Sequence, residues 1–316
     1  MIVYREIDTQ RNNMTKKCLL IDVDSTIPNL ALMKISTWKK SLGYEVGFDI
    51  SDPDEIYASC VFDRNRHKLD GLDFLHPNAY IDRGGVGYDL HKKLPDEVDL
   101  MMPDYSLYPG MDYDLRFTTR GCIRNCYFCV VPKKEGKFRR VQHPREFHDP
   151  SHKKVLLMDN NILADKDWFF EVTDWLNENN LKVSFNQGVD VRLIDREVAE
   201  RMKKTKIFQP WRIAFDTMSV KDDVIRGVNL LKDAGMNVRS NLICYVYIHD
   251  DTQFDNALER CNILRDLGVL PYTMLNRNHQ FDGLVKTLRR WTQPAVFFGT
   301  DWETWLNNRS KAGKLY

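Results

Sequence analysis

Between residues 111 and 276, short apolar runs alternate with longer amphipathic segments, and this alternation constrains the fold more than any other feature of the sequence. The strand-like runs are DLRFTT, VLLMD, VSF, RIAF, VRSNLICYVYI and VLPYTML. The helix-like segments among them are KDWFFEVTDWLNENN, DREVAERMKK, VKDDVIRGVNLLKDAG and DTQFDNALERCNILRDLG. Repeated strand–helix units predict a parallel sheet with helices outside it. In barrel-like sheets of this kind, the reacting groups gather at the carboxyl ends of the strands.

The N-terminal part of the chain shows this pattern only at its beginning. CLLIDVD predicts a buried strand, PNLALMKISTWKKSLG predicts a helix that ends at Gly43, and YEVGF predicts a second strand. From residue 51 to residue 111 turn signals such as DRGGVGYD dominate, which predicts irregular structure that links two parts. We therefore expect an α/β extension with a linker over residues 1–110, a main domain over 111–276, and a C-terminal extension over 277–316 that covers it.

Composition and charge exclude several classes of protein. Hydrophobic residues make up 43% of the chain and charged residues 29%, which is typical of a folded soluble protein. Lys and Arg number 46 against 45 Asp and Glu, so net charge does not indicate a nucleic-acid or membrane partner. No apolar run approaches the roughly 20 residues of a membrane helix, and the start MIVYREIDTQRNN lacks the apolar core of a signal peptide. We expect a cytoplasmic protein.

Three of the seven cysteines are closely spaced, in the segment FTTRGCIRNCYFCVVP. Their spacing, C-x3-C-x2-C, allows one loop to present Cys122, Cys126 and Cys129 to a single metal centre. A structural zinc site needs a fourth ligand, for which His143 or His148 is available, whereas a four-iron cluster with three cysteines keeps one iron open. The dispersed cysteines lie in apolar contexts and are expected to be small buried side chains.

With Phe128 before the third cysteine, the motif reads C-x3-C-x-aromatic-C and resembles the signature of the radical S-adenosylmethionine superfamily. TTRGC ahead of it and the six predicted strands resemble the branch that contains methylthiotransferases and enzymes with an N-terminal cobalamin-binding domain. The resemblance covers residues 111–276. It implies an α/β fold, a partial (β/α)6 barrel of the TIM type, preceded here by a small N-terminal extension that is like a truncated cobalamin-binding domain.

The resemblance also implies the chemistry. A [4Fe-4S] cluster on Cys122, Cys126 and Cys129 would bind S-adenosylmethionine through its free iron and cleave it to a 5′-deoxyadenosyl radical, which abstracts hydrogen from the substrate. The electron would come from an external one-electron donor such as flavodoxin or ferredoxin. The substrate stays open among small molecules, nucleotides, nucleic acids and peptides, and a noncatalytic metal-stabilised binding module remains the alternative function.

Family members bind S-adenosylmethionine with polar and aromatic groups that follow the barrel strands. By their positions, the residues implied to do so here are Phe128, Asp159, Asn160, Gln187, Asp190, Arg192 and Asp216. Phe128 would pack near the adenine, while the polar groups would meet the methionyl, carboxylate or ribose groups, or substrate. Other roles stay open, because Asp159 and Asn160 also suit a turn or helix cap, and Asp190 and Arg192 also suit an ion pair with each other.

Three features limit what the resemblance implies. The chain has no D-x-H-x-x-G element for a lower histidine ligand, so we do not expect cobalamin. Only Cys18 and Cys60 precede the motif, so we do not expect the second cluster of methylthiotransferases. The basic run KKEGKFRRVQHPR follows the cysteines and predicts either a solvated face or a contact with phosphate or carboxylate groups.

Overall fold

The computed structural model describes residues 15–277 and 279–311. The chain divides into two compact units, Met1–Leu115 and Arg116–Tyr316. Both are built from parallel strands and helices, as the sequence predicts. Within the described ranges, no helix has both the length and the apolar character that crossing a membrane requires.

Unit 1 contains a four-stranded, all-parallel sheet in the order β2-β1-β3-β4. Its strands are β1 (Lys17–Asp22), β2 (Glu45–Gly47), β3 (Glu55–Ser59) and β4 (Tyr80–Gly84), and its helices are α1 (Leu30–Ser41), α2 (Leu72–Leu75) and α3 (Asp96–Asp99). Helix α1 begins where the Asn29 side chain accepts a hydrogen bond from Leu32 N. Its Leu32 and Ile35 pack against Cys18 and Leu20 of β1.

The predicted irregular linker over residues 51–111 is wrong, because this segment supplies β3 and β4. β3 has the sequence EIYAS, and four of its five residues are buried, so it shows no alternation of apolar and polar residues. β4 reads YIDRG and buries none of its side chains fully. Neither strand carries the periodic signal by which a half-buried strand is recognised.

Unit 2 contains the strand–helix repeats. The strands are β5 (Asp114–Arg116, which crosses the boundary between the units), β6 (Thr119–Arg120), β7 (Arg139–Arg140), β8 (Lys154–Leu157), β9 (Lys182–Phe185), β10 (Trp211–Ala214), β11 (Leu242–Ile248) and β12 (Leu270–Leu275). The helices are α4 (Val131–Lys134), α5 (Lys166–Glu178), α6 (Arg196–Lys204), α7 (Lys221–Asp233), α8 (Val238–Asn241), α9 (Phe254–Asp266), α10 (Gly283–Trp291), α11 (Pro294–Phe297) and α12 (Trp302–Lys311).

Two three-stranded sheets organise this unit, β5-β8-β9 and β10-β11-β12, and a short antiparallel pair joins β6 to β7. The pairings β8–β9, β10–β11 and β11–β12 are parallel. Backbone hydrogen bonds continue from one sheet toward the other, since Val183 N donates to Lys206 O at 2.8 Å and Val189 N donates to Arg212 O at 2.8 Å. No closed barrel is formed by the strands in the described part of the chain.

The six predicted strands are present, and several boundaries differ from the prediction, since β5 ends at Arg116 within DLRFTT and β8 ends at Leu157 within VLLMD. The run VRSNLICYVYI was expected to be a strand throughout, but its first four residues, Val238–Asn241, form the helical turn α8, and β11 begins at Leu242. From there the side chains of β11 alternate strictly between buried and partly buried positions. In the C-terminal segment, Trp291, Phe297 and Trp302 are buried in the same hydrophobic core as the strands.

Candidate functional site

The three closely spaced cysteines lie on the loop that follows β6, which we call the cysteine loop (residues 121–129). All three are free thiols of intermediate exposure. A turn closes between the second and third, where Cys129 N donates to Cys126 O at 3.0 Å. Between the first and second, Arg124 N donates to Cys122 Sγ at 3.3 Å. Local backbone bonds therefore shape the loop around its sulfur atoms.

Burial and neighbouring charges set the protonation of the thiols. Burial raises the pKa of Cys129, and its neighbours Cys126 and Cys122 raise it further. Burial also raises the pKa of Cys126, where the positive charge of Arg192 opposes the rise and Asp216 adds to it. The raised pKa values favour the thiol over the thiolate at both residues, and a metal centre that takes thiolate ligands would reverse this preference on binding. Within residues 15–277 and 279–311, no three His, Cys, Asp or Glu side chains are already gathered at a metal-binding distance.

The chemistry of the donor set fits an iron–sulfur cluster. Thiolate sulfur is the usual ligand of such clusters, and the loop offers three. His143, the nearer candidate for a fourth zinc ligand, is buried against the rings of Trp168 and Trp175. Its Nδ1 accepts hydrogen bonds from Arg145 N at 3.2 Å and Arg145 Nε at 2.9 Å, so the buried Nε2, which has no hydrogen-bond partner in the described part of the chain, is the ring nitrogen still open to a metal.

Asp159, which follows β8, holds the chain just before the cysteine loop. Its Oδ1 accepts hydrogen bonds from Thr118 N at 2.7 Å and Thr119 N at 2.6 Å, and its Oδ2 accepts one from Thr118 Oγ1 at 2.6 Å. The side chain is completely buried. Burial raises its pKa to about 6, although the hydrogen bonds from Thr118 and Thr119 oppose the rise. Asp159 thus contacts the base of the cysteine loop directly.

Glu135, after helix α4, holds the beginning of the loop. Its carboxylate accepts from Arg120 Nη1 at 2.9 Å, from Gly121 N at 2.9 Å and from Asn160 Nδ2 at 2.7 Å. Gly121 has φ +74°, and a Cβ there would lie 2.2 Å from Lys137 O, so only glycine fits this approach. Sequence reasoning missed Glu135, because it lies within the basic run KKEGKFRR and meets its partners only in the folded chain.

Asp190, in the segment after β9, holds the middle of the loop. Its Oδ2 accepts from Arg124 Nε at 2.7 Å, and its Oδ1 accepts from Arg192 Nε at 2.6 Å. The ion pair with Arg192 that the sequence left open is therefore present. Burial disfavours the Asp190 carboxylate, but the hydrogen bonds and charges of Arg192 and Arg124 outweigh it, so its pKa lies below the ordinary value. Asn161 Oδ1 also accepts from Asp190 N at 3.2 Å, which fixes the backbone there.

Phe128 and Asp216 both contact Tyr247, near the end of β11. The Phe128 ring stacks on Tyr247, with centroids 4.5 Å apart and planes at 27°. Asp216, which follows β10, accepts from Tyr247 N at 2.9 Å, and burial raises its pKa. Next to them, the Tyr127 and His249 rings lie 5.6 Å apart. Sequence reasoning missed Tyr247 and His249, although the polar ending of CYVYIHD at a strand end is a usable signal.

The remaining residues of interest lie farther from these contacts. Gln187, after β9, is exposed to solvent. In the basic run, Arg140 pairs with Asp165 at 2.7 Å and lies over the Trp168 ring, while Arg139 Nη1 donates to Glu135 O at 2.9 Å. Part of the basic run therefore anchors the chain around the loop.

Comparison with known proteins gives one distant match. No family model matches the chain. Over 171 aligned residues it is 28% identical to a protein of Methanocaldococcus jannaschii that bears the name "Putative methylthiotransferase". The aligned region covers 45% of this chain and 37% of that protein, so the chain spans well under half of the relative's length. The chain is thus distantly similar, over part of its length, to a protein named for a methylthiotransferase activity.

Proposed function

We propose that this chain is a radical S-adenosylmethionine enzyme whose Cys122, Cys126 and Cys129 hold a [4Fe-4S] cluster. When bound, the cluster would supply the electron that cleaves S-adenosylmethionine to a 5′-deoxyadenosyl radical, which takes hydrogen from the substrate. One observation carries the proposal: three carboxylates, Asp159, Glu135 and Asp190, tie the three-thiol loop down at its base, beginning and middle. The distant similarity to a protein named as a methylthiotransferase supports the same assignment.

We further infer that the six strands form a partial (β/α)6 barrel. The backbone hydrogen bonds from Val183 N to Lys206 O and from Val189 N to Arg212 O support this. They link β9 and the segment after it, at the edge of one three-stranded sheet, to β10 and the segment before it, at the edge of the other. In such a barrel the loops after β8, β9, β10 and β11 share one mouth. The contacts of Asp190 with Arg124 and of Phe128 with Tyr247 support a cysteine loop that lies across that mouth.

The residues around the loop then have distinct proposed roles. Arg192 is one-third exposed, so its guanidinium can bind a carboxylate of S-adenosylmethionine while Asp190 orients it. The Phe128–Tyr247 stack offers an aromatic wall for the adenine. Asp216, which accepts a hydrogen bond from Tyr247 N beside this stack, would hydrogen-bond a ribose hydroxyl. Asn160 and Gln187 complete the polar rim, and Asp159 would act on the cofactor through the loop that it holds.

The electron would reach the cluster from a separate one-electron carrier such as flavodoxin or ferredoxin. We do not include cobalamin, since the sequence lacks the D-x-H-x-x-G element that would ligate it. The substrate class stays open, because barrel folds share a scaffold and differ in the details of their sites. A cytoplasmic location remains our proposal as well.

The deciding experiment is anaerobic reconstitution with iron and sulfide, followed by addition of a reductant and S-adenosylmethionine. The natural chain should gain the broad visible absorption of an iron–sulfur cluster and release 5′-deoxyadenosine. Replacement of Cys122, Cys126 or Cys129 by Ala should abolish both, because each thiolate ligates one iron. The matched control is Cys60→Ala, which removes a buried thiol from unit 1 and should leave both intact.

A contrary result would favour the alternative function. If the purified chain is colourless and holds zinc, or if all three single cysteine variants keep iron, sulfide and cofactor cleavage, the radical assignment fails. A zinc-replete, inactive chain would instead be a metal-stabilised binding module.

A further inference from the structure

A groove of about 500 Å³ lies in unit 1, at the carboxyl end of β1. It is lined by residues 19–25 together with Phe48 and Tyr108, all of them within that unit. The groove shares no residue with the cysteine loop, so its function is a separate question from the one proposed above.

The groove exists because β2 is shorter than β1. Strand β1 pairs with β2 only from Lys17 to Leu19, whereas it pairs with β3 as far as Asp22. In β1, the backbone groups of even-numbered residues face β2, since Glu45 N donates to Lys16 O at 2.9 Å. The backbone groups of odd-numbered residues face β3, since Val23 N donates to Ser59 O at 3.0 Å. After Gly47 the chain leaves the sheet, so the Leu20 carbonyl and the Asp22 amide face the groove.

The groove lies at the carboxyl end of a parallel strand, next to the point where the strand order of the sheet reverses. In the order β2-β1-β3-β4, the side on which the chain adds new strands changes at β1, because β2 lies on one side of β1 and β3 lies on the other. The crevice of that switch point lies between β1 and β3, whereas the groove lies on the β2 side of β1, beside Phe48. Asp22 ends β1, and Ser59 ends β3.

Aromatic rings and carboxylates define the chemistry of the groove. The Phe48 and Tyr108 rings pack edge to face, with centroids 5.4 Å apart. Tyr108 is fixed in place, because its hydroxyl donates to Asp22 Oδ2 at 2.8 Å and accepts from Asn29 N at 3.0 Å. Asp24 adds a second carboxylate. The lining residues include no Lys, Arg or His, so the groove favours neutral or cationic ligands over phosphates.

We propose that this groove binds a nucleoside without phosphate groups. The edge of a heterocyclic base carries adjacent donors and acceptors, which suit the backbone carbonyl of Leu20 and the amide of Asp22. Phe48 supplies the ring against which the base stacks. The Asp22 carboxylate and the Ser25 hydroxyl suit the two ribose hydroxyls, as an aspartate after a strand does in dinucleotide-binding sheets.

The test is calorimetric titration of adenosine into the full-length chain, without reconstitution of a cluster. We expect saturable binding that Phe48→Ala weakens by about tenfold, because stacking of a base on an aromatic ring is lost. Phe48→Leu keeps the apolar volume but removes the ring, and it should also weaken adenosine binding. Agreement between the two variants would show that the loss does not come from a folding defect. Phe74→Ala is the matched control, since Phe74 is 85% exposed in the same unit and lies outside the groove.

Charge provides the second arm of the test. Adenosine monophosphate should bind at least about fivefold more weakly than adenosine, because its negatively charged phosphate is repelled by the carboxylates of Asp22 and Asp24. Absence of adenosine binding, tighter binding of the monophosphate, or binding that is lost in Phe128→Ala and kept in Phe48→Ala and Phe48→Leu would each overturn the proposal. Cluster assembly is measured separately, so these outcomes are distinguishable from a failure of the radical assignment.

Discussion

Asp24 in unit 1 and Asp159 in unit 2 occupy equivalent places and hold their neighbours in the same way. Each lies two residues beyond the end of a strand, Asp24 after Asp22 of β1 and Asp159 after Leu157 of β8. Asp24 accepts from Val61 N at 2.7 Å and Phe62 N at 3.0 Å, two and three residues beyond the end of β3. Asp159 accepts from Thr118 N and Thr119 N, two and three residues beyond the end of β5.

The two carboxyl groups nevertheless titrate in opposite directions. Burial disfavours ionisation of both, but at partly exposed Asp24 the hydrogen bonds from Asn65, Val61 and Phe62 outweigh it and lower the pKa. At completely buried Asp159 the same kind of hydrogen bonds does not suffice, and the pKa rises to about 6. Hydrogen-bond geometry alone therefore does not decide the charge of a loop-holding aspartate, because the degree of burial does.

The largest expected effect comes from removing these carboxyl groups. At a pH of about 5, below the raised pKa of Asp159, Asp159→Ala leaves two buried backbone amides unsatisfied and should reduce the free energy of local opening by about 4 kcal/mol. Asp24→Ala should cost only about 1 to 2 kcal/mol, because water can reach the amides that it uncovers. Hydrogen exchange at Thr118 and Thr119, compared with Val61 and Phe62, measures each unit separately. Equal losses of local stability in the two units would show that burial does not make Asp159 more important than Asp24.

The pH dependence tests the opposite pKa shifts directly. The stability that Asp159 contributes is complete below its ordinary pKa of 3.8 and is lost as the pH rises through about 6. The stability that Asp24 contributes is complete above 3.8 and is lost as the pH falls through its lowered pKa. Relative to Asp159→Asn, the natural chain should lose about 3 kcal/mol of local stability in unit 2 across this rise in pH.

The matched control is Asp24→Asn in unit 1. Relative to that variant, the natural chain should gain stability in unit 1 as the pH rises from strongly acidic values toward neutrality. Amide exchange over a series of pH values, corrected for intrinsic exchange rates, gives both curves. Curves that slope in the same direction would show that burial does not separate the two aspartates.

The sequence revealed much of unit 2 and little of the contacts that hold its loop. The strand–helix alternation was strong because amphipathic helices such as α5 bury one face, which leaves a periodic trace in the sequence. Strand β3 left no such trace because almost all of it is buried. The cysteines were recognisable from local spacing, but the hydrogen bonds that Glu135 accepts from Gly121 and Asp190 accepts from Arg124 join residues 14 and 66 positions apart. No local pattern encodes such a pair.

Asp190 sharpens the comparison, because its side chain is only 6% exposed and its pKa is nevertheless lowered. What distinguishes it from Asp159 is the charge of its partners, since two guanidinium groups share it. Because two arginines bind the same carboxylate, their replacements by Ala form a matched pair of variants. Arg124 belongs to the cysteine loop and Arg192 does not, yet removal of either takes one positive charge from the same carboxylate.

Either Arg124→Ala or Arg192→Ala should cost about 1 kcal/mol of stability, because the other arginine still neutralises Asp190. We expect the two variants to differ in their effects on the cluster and on the cofactor. Arg124→Ala frees the turn that directs a backbone amide at Cys122 Sγ, so it should lower the iron content after reconstitution while S-adenosylmethionine affinity per cluster changes little. Arg192→Ala should keep its iron and bind S-adenosylmethionine about fivefold more weakly, since a carboxylate partner is lost. Asp190→Ala should impair both properties. Iron analysis and calorimetric titration of the three variants separate these results, and identical behaviour of the two arginine variants would mean that only the local charge matters at Asp190.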